Sequence, residues 1–228
     1  MRNILIIGHN GLVGKGISSF FEEMQDVNLK TVDLSKNFDL TNRISVENYL
    51  RENNKIQYII NCSGLNDHVE IRNKKEELQK TDLHLLDKYY EINVKAVCFL
   101  IEEAKKVLPD ISSLINFSSL YGERSPYHPI YENPKSLSYT ISKHALEGLT
   151  KYYAAFHGNS GFRINSVRIG GINSNQPKKF RDWFISRTPL GRMGEINDLY
   201  GAVDFLSSEK SKYITGQTIT VDGGYSLW

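Results

Sequence analysis

Tyr139 and Lys143 stand four residues apart. On a helix such a pair shares one face, so an ammonium can sit beside a phenol. A free Tyr titrates at about 10, too high to exchange a proton readily at neutral pH, and a nearby cation favours the phenolate. The same spacing also occurs on solvated helix surfaces, so its surroundings decide what it means. Ser118 and Ser119 end an apolar segment shortly before this pair, and functional groups gather at the carboxyl ends of parallel strands. Gly8, Gly11 and Gly14 form a second group, G-x-x-G-x-x-G. Such glycines let a backbone approach a pyrophosphate, and a following helix supplies N–H donors and a positive dipole. Tight strand-to-helix turns also use glycine, which leaves a purely structural reading open. Asp33 lies 19 residues beyond Gly14, near the distance expected of a carboxylate on an adenosine ribose. A solvated strand-end Asp is the alternative.

These residues need elements to position them. Ile4–Ile7 is a short β-branched run before Gly8 and reads as a buried parallel strand. Residues 12–24 follow with helical spacing. Strands are expected at Leu29–Asp33, Tyr58–Cys62, Leu114–Ser118, Arg163–Ile169 and Thr218–Val221. Helices are expected at Ser45–Asn53, Ile92–Leu108, Leu137–His157 and Ile196–Ser207. The alternation implies βαβ units and a parallel sheet covered on both faces. The 228 residues suit one domain, 1–228, and no repeat or linker divides them.

The bulk properties exclude other classes. Apolar residues make up 40% and charged residues 24%, which argues against disorder, collagen and coiled coil. A net charge of +2 argues against a nucleic-acid partner. No apolar run approaches the roughly 20 residues that span a membrane, and the amino-terminal stretch does not read as a signal peptide. Cys62 and Cys98 show no metal spacing and suit a reducing, cytoplasmic compartment. The six histidines are dispersed, so no metal site is expected. His9 reads as a turn residue within the glycine motif, and His144 as a neighbour of the Tyr139–Lys143 pair.

From Ile4 to Trp228 the chain resembles the short-chain dehydrogenase/reductases. Tyr139-Thr140-Ile141-Ser142-Lys143 is similar to their Y-x-x-x-K signature, and Asn116-Phe117-Ser118-Ser119 to their serine motif. Asn61-Cys62-Ser63-Gly64 resembles their N-N-A-G motif, and Asp39-Leu40-Thr41 the segment that holds the adenine. Asn93 falls where the family has a fourth catalytic residue. The resemblance implies a single-domain, three-layer Rossmann α/β fold with a doubly wound parallel sheet of six or seven strands. It implies catalytic roles for Asn93, Ser119, Tyr139 and Lys143. In that scheme Tyr139 is the acid/base, Lys143 lowers its pKa and holds the nicotinamide ribose, Ser119 donates to the carbonyl oxygen, and Asn93 supports a relay water. Cofactor contacts are implied for Gly8, Asn10, Gly11, Leu12, Val13, Asp33, Asp39, Leu40, Asn61, Ser63, Gly64, Tyr139, Lys143, Gly170 and Ile172. The implied cofactor is NAD(H), favoured by Asp33, with NADP(H) as the alternative that the nearby Lys36 keeps open.

Departures from the family pattern are informative. Only five residues separate Asp33 from Asp39, so the helix usually found there is expected to be missing and the adenosine side open. The family's Pro-Gly appears here as Ile169-Gly170-Gly171, with Arg168 before it. Residues 120–136 form an extended active-site loop carrying Tyr121, Glu123, Arg124, Tyr127, His128, Tyr131 and Glu132, or else a decorated surface or oligomer-contact loop. Residues 173–187 occupy the substrate-lid position and hold Lys178, Lys179, Arg181 and Arg187 among Phe180, Trp183 and Phe184. Apolar residues at 180, 183 and 184 suggest a short amphipathic helix. Its cations would capture an anionic substrate, or simply form a solvated face. Tyr121, His128, Tyr131 and Arg181 are the substrate candidates.

The motif pattern resembles the subgroup serving bacterial surface-sugar, flagellin-glycosylation and nonulosonic acid pathways. The expected reaction is NAD(P)H-dependent interconversion of a carbonyl and a hydroxyl on a sugar or nucleotide sugar, the small-molecule substrate being an anionic sugar. Three alternatives stand beside it. A 3-oxoacyl or polyol reductase should have a more apolar pocket. A sugar epimerase or dehydratase should retain NAD through turnover. A non-catalytic cofactor-sensing protein would commonly lack the Tyr or Lys. The apolar tail Ile214–Trp228, similar to that of the family's assembling branch, predicts a homodimer or homotetramer.

Overall fold

The computed structural model describes residues 1–36, 38–66, 82–131 and 135–228. Six strands form one parallel sheet in the order β2-β1-β3-β4-β5-β6. They are β1 (Arg2–Ile7), β2 (Val27–Val32), β3 (Tyr58–Asn61), β4 (Ser113–Ser119), β5 (Arg163–Ile169) and β6 (Thr218–Val221). Winding runs outward in both directions from β1 and β3, so the crevice beyond the carboxyl ends of these two strands is the switch point where α/β folds bind ligands.

Alternation along β1 splits the core into two layers. Leu5 and Ile7 face one cluster with Val46 and Leu50 of α2 (Arg43–Glu52), Leu100 and Ile101 of α4 (Ala96–Val107), and Leu146 of α5 (Leu137–His157). Ile4 and Ile6 face the other, with Ile17 and Phe21 of α1 (Leu12–Glu22) and Val203 and Leu206 of α7 (Tyr200–Leu206). Both sheet faces are therefore buried, as the near-continuous apolar strands require. A third, smaller cluster of Leu120, Phe184 and Met193 lies under α6 (Lys178–Ser186).

Some expected boundaries move. The second strand is Val27–Val32 and leaves Asp33 just past its end. The helix expected from Ile92 starts at Leu83. Asp82 caps it by accepting from the Leu85 N–H at 3.1 Å, giving α3 (Leu83–Tyr90), and a π-helical turn over Glu91–Lys95 joins it to α4. The segment at Ile196 opens as a 3-10 turn before α7 begins. Between Asp33 and Asp39 one 3-10 turn, Leu34–Lys36, stands where the family helix was expected to be missing, and β2 is the sheet edge. Among the described residues no helix is long and apolar enough to cross a membrane.

Candidate active site

The glycine motif builds a cradle at the switch point. Gly8 follows β1 with φ +80°, and a Cβ there would lie 2.8 Å from the Ser63 nitrogen. A Cβ on Gly14 would lie 2.1 Å from the Gly8 carbonyl oxygen, so α1 packs directly on the turn. Gly11 differs, because its Cβ would meet only the Gly8 oxygen at 3.5 Å. Packing does not demand glycine there. Gly11 is also the N-cap of α1, with no side-chain cap on the first-turn amides. Open space over uncapped helix amides is what a pyrophosphate requires. Leu12 is exposed at the mouth and Val13 packs inward.

On the adenosine side, Asp33 Oδ1 accepts from the Ser35 N–H at 2.9 Å and its hydroxyl at 2.5 Å. Asn10 reaches the same turn through Ser35 Oγ at 3.0 Å. His9 Nδ1 stands 3.3 Å from Asp33 Oδ2. Burial opposes ionisation of Asp33, yet these donors hold it below the ordinary carboxylate value. Asp39 Oδ1 is engaged by the Thr41 N–H and hydroxyl at 2.9 and 2.7 Å, and Leu40 is buried beside it. Asn61, beneath the cradle, is a structural member. It donates to Asn116 at 3.1 Å and accepts from Ser63, while Asn116 continues to Thr150 and Thr150 to Ser166. This polar ladder pins β3, β4, α5 and β5 together under the crevice.

The four candidate catalytic residues converge. Ser119 ends β4, Tyr139 and Lys143 lie one turn apart on α5, and Asn93 comes from the π turn. All four are buried. Ser119 hydrogen-bonds the Tyr139 side chain. Lys143 Nζ donates to the Phe117 carbonyl at 2.8 Å and lies 5.8 Å from the Tyr139 ring centre. Asn93 accepts from the Leu65 N–H at 2.7 Å and donates to the Leu65 carbonyl and to Ser142 Oγ. The Gly64 Cα leaves room in which a Cβ would sit 3.6 Å from Lys143 Nζ.

The electrostatics correct one expectation. Lys143 was expected to lower the Tyr139 pKa. Instead burial raises the Tyr139 phenol, and only the Ser119 hydrogen bond opposes it. Burial also brings Lys143 down to about 8, against the pull of Cys62 and Glu147 and with a further push from Lys135. The lysine keeps most of its charge at neutral pH, loses it as pH rises through about 8, and directs it at a carbonyl.

Residues that sequence reasoning did not assign complete the site. Lys135 Nζ lies 4.4 Å from the Tyr139 ring centre. Glu147 is buried one turn beyond Lys143, where Ser118 Oγ donates to it at 2.7 Å and Arg168 at 3.0 and 2.6 Å. Arg168 also reaches Glu123 at 2.9 Å. Residues 135, 139, 143 and 147 continue one four-residue spacing, a signal the Y-x-x-x-K pair alone truncates.

Among the substrate candidates, the Tyr121 and Tyr131 hydroxyls contact each other, and the Tyr121 N–H donates to Ser119 Oγ at 3.2 Å. His128 and Arg181 are exposed and are not among the residues that line the cavity beside this cluster. Glu132 lies outside the described residues. Gly170 packs on Asp222, where a Cβ would come within 2.7 Å of its Cα. Ile172 is buried and bridged to Gly194 at the crevice. Among the described residues no cluster of three or more His, Cys, Asp or Glu could hold a metal ion.

Comparison with known proteins gives this geometry its class. A family model described as enoyl-(acyl carrier protein) reductase matches residues 15–226. A 3-oxoacyl-[acyl-carrier-protein] reductase of Chlamydia trachomatis is 30% identical over 97% of this chain and 86% of its own length. Gluconate 5-dehydrogenase of Gluconobacter oxydans is 30% identical over 83% of this chain and 73% of its own. The crystal structure of a Leptospira borgpetersenii short-chain dehydrogenase with bound NAD+ superposes with TM-score 0.80 at 27% identity, covering 99% and 92% of the two chains. The chain belongs to the short-chain dehydrogenase/reductases. It is an NAD(P)-dependent oxidoreductase.

Proposed function

We propose that the protein interconverts a carbonyl and a hydroxyl on a small polyhydroxylated compound, a polyol-type reaction, with NADH preferred. The observation that carries this reading is the hydroxyl-lined catalytic end. Tyr121, Tyr131 and Tyr225 sit with Tyr139 in one mutually interacting cluster beside Ser119. The Tyr121 and Tyr131 hydroxyls pair with each other and keep spare hydrogen-bonding capacity, which a hydroxylated substrate would use and an aliphatic one would not. The relatives are named for acyl-carrier and gluconate chemistry. They favour the alternative given above over a surface-sugar role.

The dinucleotide, when bound, supplies or removes hydride. The chain's residues do the rest. Tyr139 Oη gives a proton to the carbonyl oxygen in the reductive direction, and the raised phenol pKa keeps that proton available. Ser119 Oγ donates to the same oxygen and stabilises developing charge. Lys143, its ammonium 5.8 Å from the Tyr139 ring centre, would hold the nicotinamide ribose. Asn93 braces the lysine side of the site through Leu65 and Ser142. Asp33 favours NADH, because its carboxylate would repel a 2′-phosphate. The exposed Tyr152 and Phe156 on α5, stacked on each other, join the tail as surface that a second copy would cover.

The test compares NADH oxidation with a keto-gluconate and with acetoacetyl-coenzyme A. Faster turnover of the keto-gluconate supports the polyol reading. Preference for the thioester would replace it with the 3-oxoacyl reading that the first relative suggests.

A further inference from the structure

The four cations of the lid have different surroundings. Lys178 pairs with Asp182, and Lys179 and Arg181 are exposed on α6. Arg187, just beyond α6, lies over two rings, 5.2 Å from the Trp183 centre and 5.9 Å from the Tyr127 centre. Those rings stack on each other at 5.0 Å with an interplanar angle of 4°. With Tyr225, Arg124 and Trp228 they line a cavity of about 160 Å³ that begins at Leu120 and Tyr121, directly after Ser119.

Two arginines and no Asp or Glu side chain line this cavity. Arg124 is already engaged, donating to the Ser226 and Trp228 carbonyls. The Arg187 backbone N–H donates to the Phe184 carbonyl, whereas its guanidinium makes no hydrogen bond or ion pair to any described residue and lies near the two rings. A guanidinium held against aromatic rings keeps its N–H donors for a partner, and those donors match an oxyanion fork. Both arginines act on the Tyr225 phenol, opposing the rise that burial causes there.

We propose that this cavity is an oxyanion subsite in which Arg187 takes a carboxylate or phosphate carried by the substrate away from its reacting carbon. Trp183 and Tyr127 hold the arginine in place and wall the adjoining stem. The proposal rests on the reductase reading above and narrows its substrate to an acidic, hydroxylated carbonyl compound.

The chain has two tryptophans, and both line the cavity. Intrinsic tryptophan fluorescence is therefore a direct reporter. Protein saturated with NAD+ would be titrated with gluconate, with sorbitol phosphate and with sorbitol. A saturable change with either anion, and none with sorbitol, supports the subsite, and the stronger anion identifies carboxylate or phosphate. Arg187→Met should weaken that binding at least about ten-fold, the loss of one charge-assisted pair, and Arg187→Lys should restore part of it. An equal response to sorbitol, or unchanged affinity in Arg187→Met, overturns the subsite. Reduced-nicotinamide fluorescence separates the two levels. NADH binding with silent anions overturns the subsite alone, whereas no NADH binding overturns the reductase reading with it.

Discussion

Replacing Glu147 by Gln should damage both stability and the pH profile. The Glu147 side chain is 8% exposed and that of Arg168 11%. Glu147 takes two hydrogen bonds from Arg168 and one from Ser118. Removing one partner of a buried pair costs about 3–5 kcal/mol, because the other charge stays buried. Arg168 retains Glu123 and Thr220, so the lower end, about 3 kcal/mol, applies. For a chain of this size each kcal/mol moves Tm by about 2–4 °C, giving a fall of roughly 6–12 °C in a calorimetric scan. Glu147 also raises the Lys143 pKa. Without it the lysine loses its charge at lower pH, and the alkaline limb of carbonyl reduction should move downward. The paired change Glu147→Leu with Arg168→Met should recover most of the Tm, since an apolar pair removes both buried charges, but leave the limb displaced. A Tm loss under about 2 °C together with an unmoved limb would refute the reasoning.

Other outcomes follow from the same geometry. Tyr139→Phe should lower turnover by about a hundred- to ten-thousand-fold while the NADH dissociation constant changes only a few-fold, read by steady-state rates and cofactor fluorescence. In wild type, carbonyl reduction should fall as pH rises through about 8, where Lys143 loses its proton. The Tyr139 phenol, raised by burial, stays protonated across that range, so a stopped-flow pH series should show one limb there. Gly11→Ala should keep the wild-type Tm but weaken NADH binding, because its methyl meets only one atom, at 3.5 Å, and fills the anion space. Gly14→Ala should lower Tm as well, since its methyl would lie 2.1 Å from the Gly8 oxygen.

Much of this was legible in the sequence for physical reasons. The strands at Arg163–Ile169 and Thr218–Val221 and the helix Leu137–His157 coincide with their expected bounds. Their apolar runs and periodicity reflect burial, which sequence displays directly. The convergence of Asn93, Ser119, Tyr139 and Lys143 was legible only through motif order, because sequence separation hides spatial approach. The start at Leu83 was missed because Tyr89 and Tyr90 weaken the helical signal and the cap at Asp82 is a local hydrogen bond. The π turn that aims Asn93 has no pattern of its own. Charge was the least legible property. The four lid cations look alike in sequence, yet only Arg187 of them lies over the cavity's rings. The Tyr139 pKa runs opposite to expectation because burial, not the neighbouring lysine, dominates.

The central claim is that the crevice between β1 and β3 holds a nicotinamide dinucleotide in the cradle of Gly8, Gly11 and Gly14. Its most direct test is a titration of the purified protein with NADH and NADPH, followed by reduced-nicotinamide fluorescence. The account predicts saturable binding of one dinucleotide per chain, tighter for NADH because the Asp33 carboxylate faces the adenosine side. Absence of binding by either dinucleotide would contradict it.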